Sequence, residues 1–345
     1  MIRWLRGVLP PLALFVAPLT AQDHAVTPPA QFQKLAHTYS IVAWDSATGD
    51  LGVAVQSKFP NVGGLVPWAK AGVGAVATQA LAATQYGEDG LSLMGQGATA
   101  EEALRIVMRG DTDTADRQVG MIDAHGNSAS FTGAKTFDWA GGRVGVRGTP
   151  LGKLGAKGMV IVGRDYAAQA NIMVSDATVR GMAQAFEKSK GSLADRLVAA
   201  LHAGQAGGGD KRGMQSAALL VVRAHGGYLG NSDRLVDIRI YDAKDPLAEL
   251  DRLLALQKLF FFPSNPDDLV AITPEIVAKL VPILKTEPKG PGTKWLTDTP
   301  KTATPKFLDA LRDFMYWENY DVRVRMDGKI DKVVLQDILT KRGLK

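Results

Sequence analysis

Two short apolar runs separated by a polar turn stand out in the pattern of hydrophobic and polar positions. Residues 39–44 and 51–55 are mainly apolar, and the polar segment between them contains a glycine. Two strand-like runs joined by such a turn predict a β-hairpin. Thr38 opens the first predicted strand, and Ser57 and Lys58 close the second.

The following region alternates between runs typical of strands and longer segments with helical periodicity. We predict strands over residues 73–78, 118–123, 128–131, 214–222 and 236–241, with one more apolar run at 159–162. The predicted helices span residues 100–108, 176–188, 193–203 and 246–260. Thr99 and Ser192 are hydroxyl residues suited to cap two of them. Strands near both ends of this region, with helices between them, predict an α+β fold.

The composition changes towards the C-terminus. Residues 263–304 are rich in Pro, Gly and Lys, which predicts a linker with one short helix at 274–284. Residues 305–345 carry two apolar helical faces. We therefore expect a main domain over residues 38–262 and a small helical module over 305–345.

The N-terminal segment is typical of a secretory signal peptide. Arg3 and Arg6 precede an apolar run at 8–16, and small residues end the segment at position 21. Residues 1–21 are therefore predicted to be removed, and the polar residues 22–37 are expected to be loose. We expect export to a periplasmic or extracellular space. Further along, no run is long enough to predict a transmembrane anchor.

Composition excludes several classes of chemistry. The net charge of +5 is not concentrated in a dense Lys/Arg block, so nucleic acid is not an expected partner. The chain contains no Cys, which excludes disulfides, thiol nucleophiles and Cys-type zinc sites. Its five His residues show no metal-ligand spacing, so neither a metal nor another cofactor is predicted.

Thr38 is the first candidate for catalysis. If the peptide bond before it is cut, its hydroxyl becomes a nucleophile and its new α-amine, with a pKa of about 7.7–8.0, becomes the base. Asp45 and Lys58 are candidates to orient the amine and to lower the effective pKa of the hydroxyl. The alternative is that Thr38 simply begins a strand, and that Asp45 and Lys58 are solvated turn and strand-end residues.

A glycine-rich loop before a predicted strand is the second candidate site. Gly208 and Gly209 permit backbone N–H groups to approach an anion or an oxyanion closely. Asp210 could pair with Arg212, or Arg212 could bind a substrate carboxylate. Gln215 and Ser216 then enter the strand and complete this candidate substrate-binding set. The alternative is a flexible surface loop.

Two amides belong to the same hypothesis. Gln79 follows a predicted strand, and Asn171 follows a small residue. Both could donate hydrogen bonds to an oxyanion or to a substrate. The alternative is that these amides satisfy buried backbone groups, as most buried amides do.

Several of these segments together resemble one protein family. They are residues 38–58, 66–79, 117–118, 169–171 and 206–219. In them the chain resembles the DUF1028 family, with Ala170 where that family usually has Gly. The resemblance implies membership of the N-terminal-nucleophile (Ntn) hydrolase superfamily and a four-layer αββα sandwich. It also implies hydrolysis of an amide bond.

The C-terminal residues carry a second resemblance. Trp317-Glu318-Asn319-Tyr320, Arg323 and Ile330-Asp331 are similar to the hallmark of a peptidoglycan-binding module sometimes attached to DUF1028 proteins. The resemblance implies peptidoglycan as a partner of this module.

Taken together, the sequence predicts an exported amide hydrolase that acts on a small or cell-wall-derived substrate without a cofactor. Two alternatives remain open. One is a non-catalytic envelope protein that binds a ligand or peptidoglycan, and the other is a structural protein that forms assemblies. A homo-oligomer is compatible with each.

Overall fold

The computed structural model describes residues 38–145, 147–152, 165–286, 288–290 and 293–344. The predicted signal peptide, the segment 22–37 and the apolar run at 159–162 therefore lie outside the described residues. The described residues from 38 onwards belong to one compact unit.

The strands and helices have the following bounds. The strands are β1 (Thr38–Trp44), β2 (Leu51–Ser57), β3 (Pro67–Lys70), β4 (Gly74–Ala80), β5 (Arg117–Asp123), β6 (Ser128–Thr132), β7 (Gly141–Val144), β8 (Gly148–Gly152), β9 (Tyr166–Ala170), β10 (Ser216–Val222), β11 (Arg234–Ile240), β12 (Leu269–Ala271), β13 (Pro288–Gly290), β14 (Thr293–Lys294) and β15 (Lys329–Asp331). The helices are α1 (Gln85–Gly95), α2 (Ala100–Met108), α3 (Ala177–Lys188), α4 (Leu193–Ala206), α5 (Pro246–Phe261), α6 (Pro274–Thr286), α7 (Pro305–Trp317) and α8 (Lys332–Thr340). The predicted α+β class is confirmed.

Two sheets form the main part of the molecule. The larger has six strands in the order β11-β10-β2-β1-β9-β7, and all its neighbours are antiparallel. The second has the order β3-β4-β5-β6-β8, in which only the β6–β8 pair is parallel. The predicted hairpin is confirmed as β1–β2, with Trp44 opposite Leu51 and Thr38 opposite Ser57.

Strand alternation divides the side chains of the six-stranded sheet between two faces. In β1, Tyr39 and Ile41 pack against a core that includes side chains of α3, α4 and α5, whereas Val42 packs against side chains of the second sheet. The outer face of the second sheet packs against α1 and α2, where Leu104 is fully buried. Successive residues of a strand point to opposite faces, so Thr38 and Ser40 share the inter-sheet face with Val42.

The space between the sheets changes character along its length. Towards one end it is filled by apolar side chains such as Val53 and Ile122. Towards the end where β1 begins, the buried side chains are polar. They are Thr38, Ser40, Ser57, Gln79, Gln118, Ser130, Thr132, Gln169, Asn171 and Ser216. Buried polar groups require hydrogen-bond partners, so this end is a specialised part of the core.

The segment predicted as a linker is instead largely built into a core. Val277 and Leu280 of α6 are fully buried and belong to the same apolar cluster as Phe307 and Phe314 of α7. Leu259 near the end of α5 belongs to that cluster as well. The prediction that residues 263–304 form a linker is therefore wrong, because α6 supplies a large part of the C-terminal core.

The residues behind the second resemblance have structural contacts. Arg323 is 7% exposed and forms an ion pair with the fully buried Asp331. The Arg323 Nη2 also donates to the Lys258 carbonyl at 2.6 Å, and the Asp331 carboxylate accepts from the Val333 N–H at 2.8 Å, where it caps α8. These two side chains join the loop after α7 to α8 and to the end of α5.

Within the described ranges, no helix combines the length and the apolar character needed to cross a membrane.

Candidate active site

The hydroxyl of Thr38 contacts a second hydroxyl. Thr38 is 1% exposed, and its Oγ1 lies 3.1 Å from the Oγ of Ser57, which is fully buried. The Ser57 carbonyl accepts from the Gln215 N–H of the β10 side, so the backbone groups of Ser57 point away from β1. Thr38 and Ser57 therefore form a non-hydrogen-bonded strand pair, in which side chains approach most closely.

Three N–H donors converge on the backbone carbonyl of Thr38. Gln79 Nε2 donates to this oxygen at 3.1 Å, the Asn171 N–H at 3.1 Å and Asn171 Nδ2 at 3.5 Å. Gln79 and Asn171 were predicted to donate to a substrate or an oxyanion. The structure brings both to Thr38, but there they hold the carbonyl of that residue.

Gln118 connects these two amides and was not predicted. Its Oε1 accepts from Gln79 Nε2 at 2.8 Å and from Asn171 Nδ2 at 2.9 Å. Its Nε2 donates to the Ala170 carbonyl and to the Thr132 hydroxyl, both at 2.9 Å. Gln118 thus links both sheets beneath Thr38.

Ser40 extends the network on the inter-sheet face. Its Oγ donates to Gln79 Oε1 at 2.6 Å and accepts from Gln169 Nε2 at 2.6 Å. We call Ser40, Gln79, Gln118, Gln169 and Asn171 the amide cluster. All five residues are at most 1% exposed.

Asp210 organises the other side of Ser57. Its side chain is fully buried, and its carboxylate accepts from the Lys58 N–H at 3.2 Å and from the Arg212 N–H at 2.8 Å. Arg212 Nη2 lies 3.0 Å from the same carboxylate. The Lys58 ammonium donates to the Met214 carbonyl at 3.3 Å. Lys58 follows Ser57 in the chain, and Asp210 brings Lys58 and Arg212 together, so three of the predicted site residues lie in one group.

The phenol of Tyr39 is affected by burial and by the charge of Asp210. Burial is the main reason that the pKa of its phenol lies well above its usual range, and the negative charge of Asp210 raises it further. Its hydroxyl donates to the Leu201 carbonyl at 3.3 Å. Tyr39 is therefore a neutral donor at physiological pH.

The glycine-rich loop does not form the predicted anion cradle. The N–H groups of Gly207, Gly208 and Gly209 donate to carbonyls of Ala203, Gln205 and Gly204 at 3.0, 3.0 and 3.2 Å. These amides cap the end of α4, where the helix dipole is negative and does not favour an anion. The positive φ angles of Gly208 and Gly209, 110° and 56°, allow this capping turn.

Asp45 lies at the opposite end of β1 from Thr38. Its carboxylate accepts from the Ala47 N–H at 2.9 Å and lies 3.7 Å from Arg196. A strand of seven residues separates it from Thr38, which corresponds to roughly 20 Å. The structure therefore does not bring Asp45 to the candidate nucleophile, because the turn that contains it lies at the far end of the hairpin.

Gln215 and Ser216 lie beside Ser57 but have structural contacts. The Gln215 N–H donates to the Ser57 carbonyl at 3.1 Å. The Ser216 hydroxyl donates to the Phe59 carbonyl at 2.5 Å and accepts from the Val62 N–H at 3.2 Å. Ser216 therefore anchors the loop after β2.

Ser57, Gln118 and Gln169 are the main residues that sequence reasoning missed. The hairpin contained a signal for the first, because pairing residue 44 with 51 across the turn places 38 opposite 57. Gln118 and Gln169 lay within segments of the family resemblance, but their partners come from distant strands. Among the described residues, no group of His, Asp or Glu side chains is arranged to hold a metal ion.

These observations define a class: an α+β protein whose two sheets enclose hydroxyl and amide side chains at one end. The chain belongs to DUF1028, a family of unknown function whose model matches residues 38–161 and 151–250.

A solved structure matches this chain over most of the length of the other protein. It is the crystal structure of protein SPO2555 from Silicibacter pomeroyi, also described by the DUF1028 family model. The two share 28% sequence identity with a TM-score of 0.55, and the match covers 66% of this chain and 91% of that one. None of the curated proteins compared with the chain matches it.

Proposed function

We propose that this protein is an exported amide hydrolase of the Ntn type that acts on a small or cell-wall-derived amide. The observation that carries the proposal is the environment of Thr38. Its hydroxyl contacts Ser57 at the start of a strand, and three N–H donors hold its carbonyl. The stacking of helices and sheets supports assigning the fold to the four-layer αββα sandwich of this superfamily.

The reaction follows from a free α-amine at Thr38. The amine takes the hydroxyl proton as Oγ1 attacks the carbonyl carbon of the substrate. The amine then gives that proton to the leaving nitrogen as the carbon–nitrogen bond breaks, which leaves an ester on Thr38. A water molecule, deprotonated by the amine, hydrolyses the ester and restores the hydroxyl. No cofactor takes part in these steps.

Lys58 and Arg212 are the candidate positive charges of the site. Asp210 holds the backbone of Lys58 and the guanidinium of Arg212, whose side chain is 31% exposed. We assign Arg212 to an anionic group of the substrate and Lys58 to lowering the effective pKa of the hydroxyl.

The mature N-terminus tests the proposal. We expect mass spectrometry of the protein isolated from its own cells to find a chain that begins at Thr38, outside the cytoplasm and without residues 1–21. A mature chain that begins near Gln22 would contradict the Ntn mechanism and favour a binding protein. Recovery of intact Met1 from the cytosol would contradict export.

A second candidate function is binding to peptidoglycan through the C-terminal module. The observation that favours it is a group of aromatic rings on the surface of α7. Trp317 is 62% exposed and Tyr316 is 49% exposed, and the ring of Trp317 lies 6.0 Å from that of Trp295. Exposed flat rings suit contact with the apolar faces of sugars. In the non-catalytic alternative, this module and the polar end of the sheets would bind ligands without turnover.

A further inference from the structure

We propose that Gln118 is a positioning residue for the Thr38 nucleophile and that it acts through Gln79 and Asn171. The inference rests on the proposed function. It assigns a role in the reaction to a residue that does not itself touch Thr38.

Gln118 lies at the centre of the amide cluster. It lies on β5, in the sheet that does not contain Thr38, and it is fully buried. Its Oε1 accepts from both side chains whose amides hold the Thr38 carbonyl. A carbonyl oxygen has two lone pairs, and here each has one donor.

The orientation of the Gln118 amide is determined by its hydrogen-bond partners. Its nitrogen faces the Ala170 carbonyl at 2.9 Å and the Gly141 carbonyl at 3.3 Å, which can only accept. A flipped amide would place its oxygen against these carbonyls and its nitrogen against two N–H donors. Gln118 is therefore held in the one orientation that presents an acceptor to Gln79 and Asn171.

The arrangement fixes the Thr38 carbonyl just past the end of a strand ladder. The ladder between β1 and β9 runs from the Tyr39–Ala170 pair to the Ala43–Tyr166 pair, so Thr38 lies just beyond it. The Thr38 carbonyl is held there by Gln79 and by Asn171. The carbonyl carbon and the α-amine are bonded to the same Cα, so a displacement of the carbonyl group that carries the Cα with it also moves the amine that serves as the base.

Replacing Gln118 by Leu removes the shared acceptor. Gln79 Nε2 and Asn171 Nδ2 then lose a partner in a buried site, and each is expected to turn towards another acceptor. A displacement of about 1 Å in a reacting group can lower a rate by roughly a hundredfold. We expect Gln118→Leu to lower the rate constant of Thr38 acylation by roughly 10- to 100-fold, with unchanged affinity for the reagent.

The probe for the experiment is an alkyl β-lactone, an electrophile that acylates nucleophilic hydroxyls. Thr38 Oγ1 forms an ester with the lactone carbonyl, the ring carbon–oxygen bond breaks, and the hydroxyl proton passes through the amine to the released alkoxide. The protein and its variants are purified from the same host, and their N-termini are established first. Mass spectrometry of the Thr38 peptide then gives kinact and KI for each.

Gln56→Leu is the matched control. Gln56 is also a fully buried glutamine and lies opposite Tyr39, but neither atom of its amide has a hydrogen-bond partner in the described part of the chain. Gln118→Glu is the conservative variant, since it keeps the shape and an acceptor oxygen. We expect kinact to be unchanged in Gln56→Leu and to be less affected in Gln118→Glu than in Gln118→Leu.

The outcomes separate this inference from the proposed function. If the wild-type protein with a free Thr38 is not acylated, the proposed nucleophile is wrong. If the wild type reacts and Gln118→Leu reacts at the same rate, the positioning role is overturned. It is also overturned if Gln56→Leu slows acylation equally, or if Gln118→Leu lowers only the fraction of protein that reacts. If Gln118→Leu does not fold, Gln118→Met replaces it, since it also lacks the amide acceptor, and an unchanged kinact in Gln118→Met overturns the positioning role.

Discussion

Thr38 shows how one residue can be fixed at two points by different chemistry. Ser57 contacts its side chain on one side, and Gln79 and Asn171 hold its backbone on the other. The side-chain hydroxyl and the main-chain carbonyl are thus held by separate strands. Removing the hydroxyl should therefore leave the backbone contacts in place, which permits a clean test of its role.

We expect Thr38→Ala to abolish amide hydrolysis and lactone acylation, because no hydroxyl remains to attack the carbonyl carbon. Thr38→Ser should retain part of both, since it keeps the nucleophile and the amine. The measurement is the acylation rate of each mature variant, with circular dichroism to verify folding.

The unprocessed chain, with His37 still attached to Thr38, serves as the control for these variants. It has no free amine at Thr38 and should not react. Reaction of the unprocessed protein at the mature rate would contradict the amine as the base and favour the non-catalytic alternative for the proposed site.

The amide residues show what a sequence can and cannot specify at this scale. The residue types Gln79 and Asn171 indicate hydrogen-bond donors, but not what receives the bonds. The structure shows that the acceptor is a carbonyl of their own chain, supplied by a strand about forty positions or more away in sequence. The prediction that Gly208 and Gly209 hold an anion was wrong for a related reason, because their N–H groups donate to carbonyls at the end of the preceding helix.

At the scale of single elements, local signals were sufficient wherever the stabilising contacts are themselves local. The predicted helix at 100–108 is confirmed as α2, and Thr99 forms a capping box with Glu102. The predicted cap of α4 is confirmed in the same way, with Ser192 and Asp195. Both boxes join residues three positions apart, so the pattern is complete within the sequence.

The helix α1 was missed because its composition depends on distant contacts. It contains Gly87 and Gly90, which lower helix propensity. A Cβ at Gly87 would lie 2.2 Å from the ring of Trp68, and one at Gly90 would lie 2.9 Å from Met121. The glycines permit close packing on the second sheet, and sequence periodicity contains no sign of that requirement. Pro282 lies within α6, and the helix predicted at 274–284 is confirmed despite this proline.

The Arg323–Asp331 pair gives the C-terminal module a pH-dependent stability. Burial alone raises the pKa of the Asp331 carboxyl, but the Val333 N–H and the Arg323 charge help to outweigh it, and the pKa lies below its usual range. A lowered pKa stabilises the folded state above the unfolded value of about 3.9. That contribution is lost as the pH falls through the folded-state pKa.

We expect Asp331→Asn to lower the melting temperature at pH 7, since it leaves the buried Arg323 without its charged partner, a loss of roughly 3 kcal/mol. The difference from the wild type should shrink as the pH falls below about 4 and should be smallest below the folded-state pKa, where Asp331 is protonated in both states. Thermal unfolding followed by tryptophan fluorescence across this pH range measures it. Asp327→Asn, which alters the more exposed pair with Arg325, is the control and should change the melting temperature little. An equal effect of Asp331→Asn at pH 7 and pH 3 would contradict the ionic origin.

At the scale of the molecule, the position of the C-terminal module affects how its function can be tested. Its core includes Leu259 of α5 and the buried face of α6, so removal of residues 294–345 would expose apolar surface on the remaining chain. A change of one exposed side chain is therefore a better probe of peptidoglycan binding than a deletion.

We expect Trp317→Ala to reduce sedimentation of the protein with purified peptidoglycan by several-fold, because it removes the most exposed ring of the α7 surface. Tyr228→Ala is the control, since Tyr228 is a similarly exposed aromatic residue, 56% exposed, in the segment between β10 and β11. Sedimentation that is the same for the wild type and for Trp317→Ala would remove the aromatic surface as the binding site.

The order of strands in the two sheets is the part of the fold that the sequence left open. The β1–β2 hairpin follows from a short turn, but β9 joins β1 from more than a hundred residues away and was recognised only as part of a family segment. Gln118 reaches Asn171 across the space between the sheets for the same reason. Contacts of this kind depend on how whole layers stack, and the hydrophobic periodicity of neither strand indicates them.

The central place of β1 in its sheet has a consequence for maturation. The strand is paired with β2 along all seven residues and with β9 from Tyr39 to Ala43, so the β2 ladder and the Asn171 N–H together hold Thr38 in register. Under the proposed function, a cut before Thr38 would leave the strand that carries the new terminus in place. Maturation of this kind would change the chemistry of the site and leave the fold as it is, because the cut adds only a single titratable nitrogen.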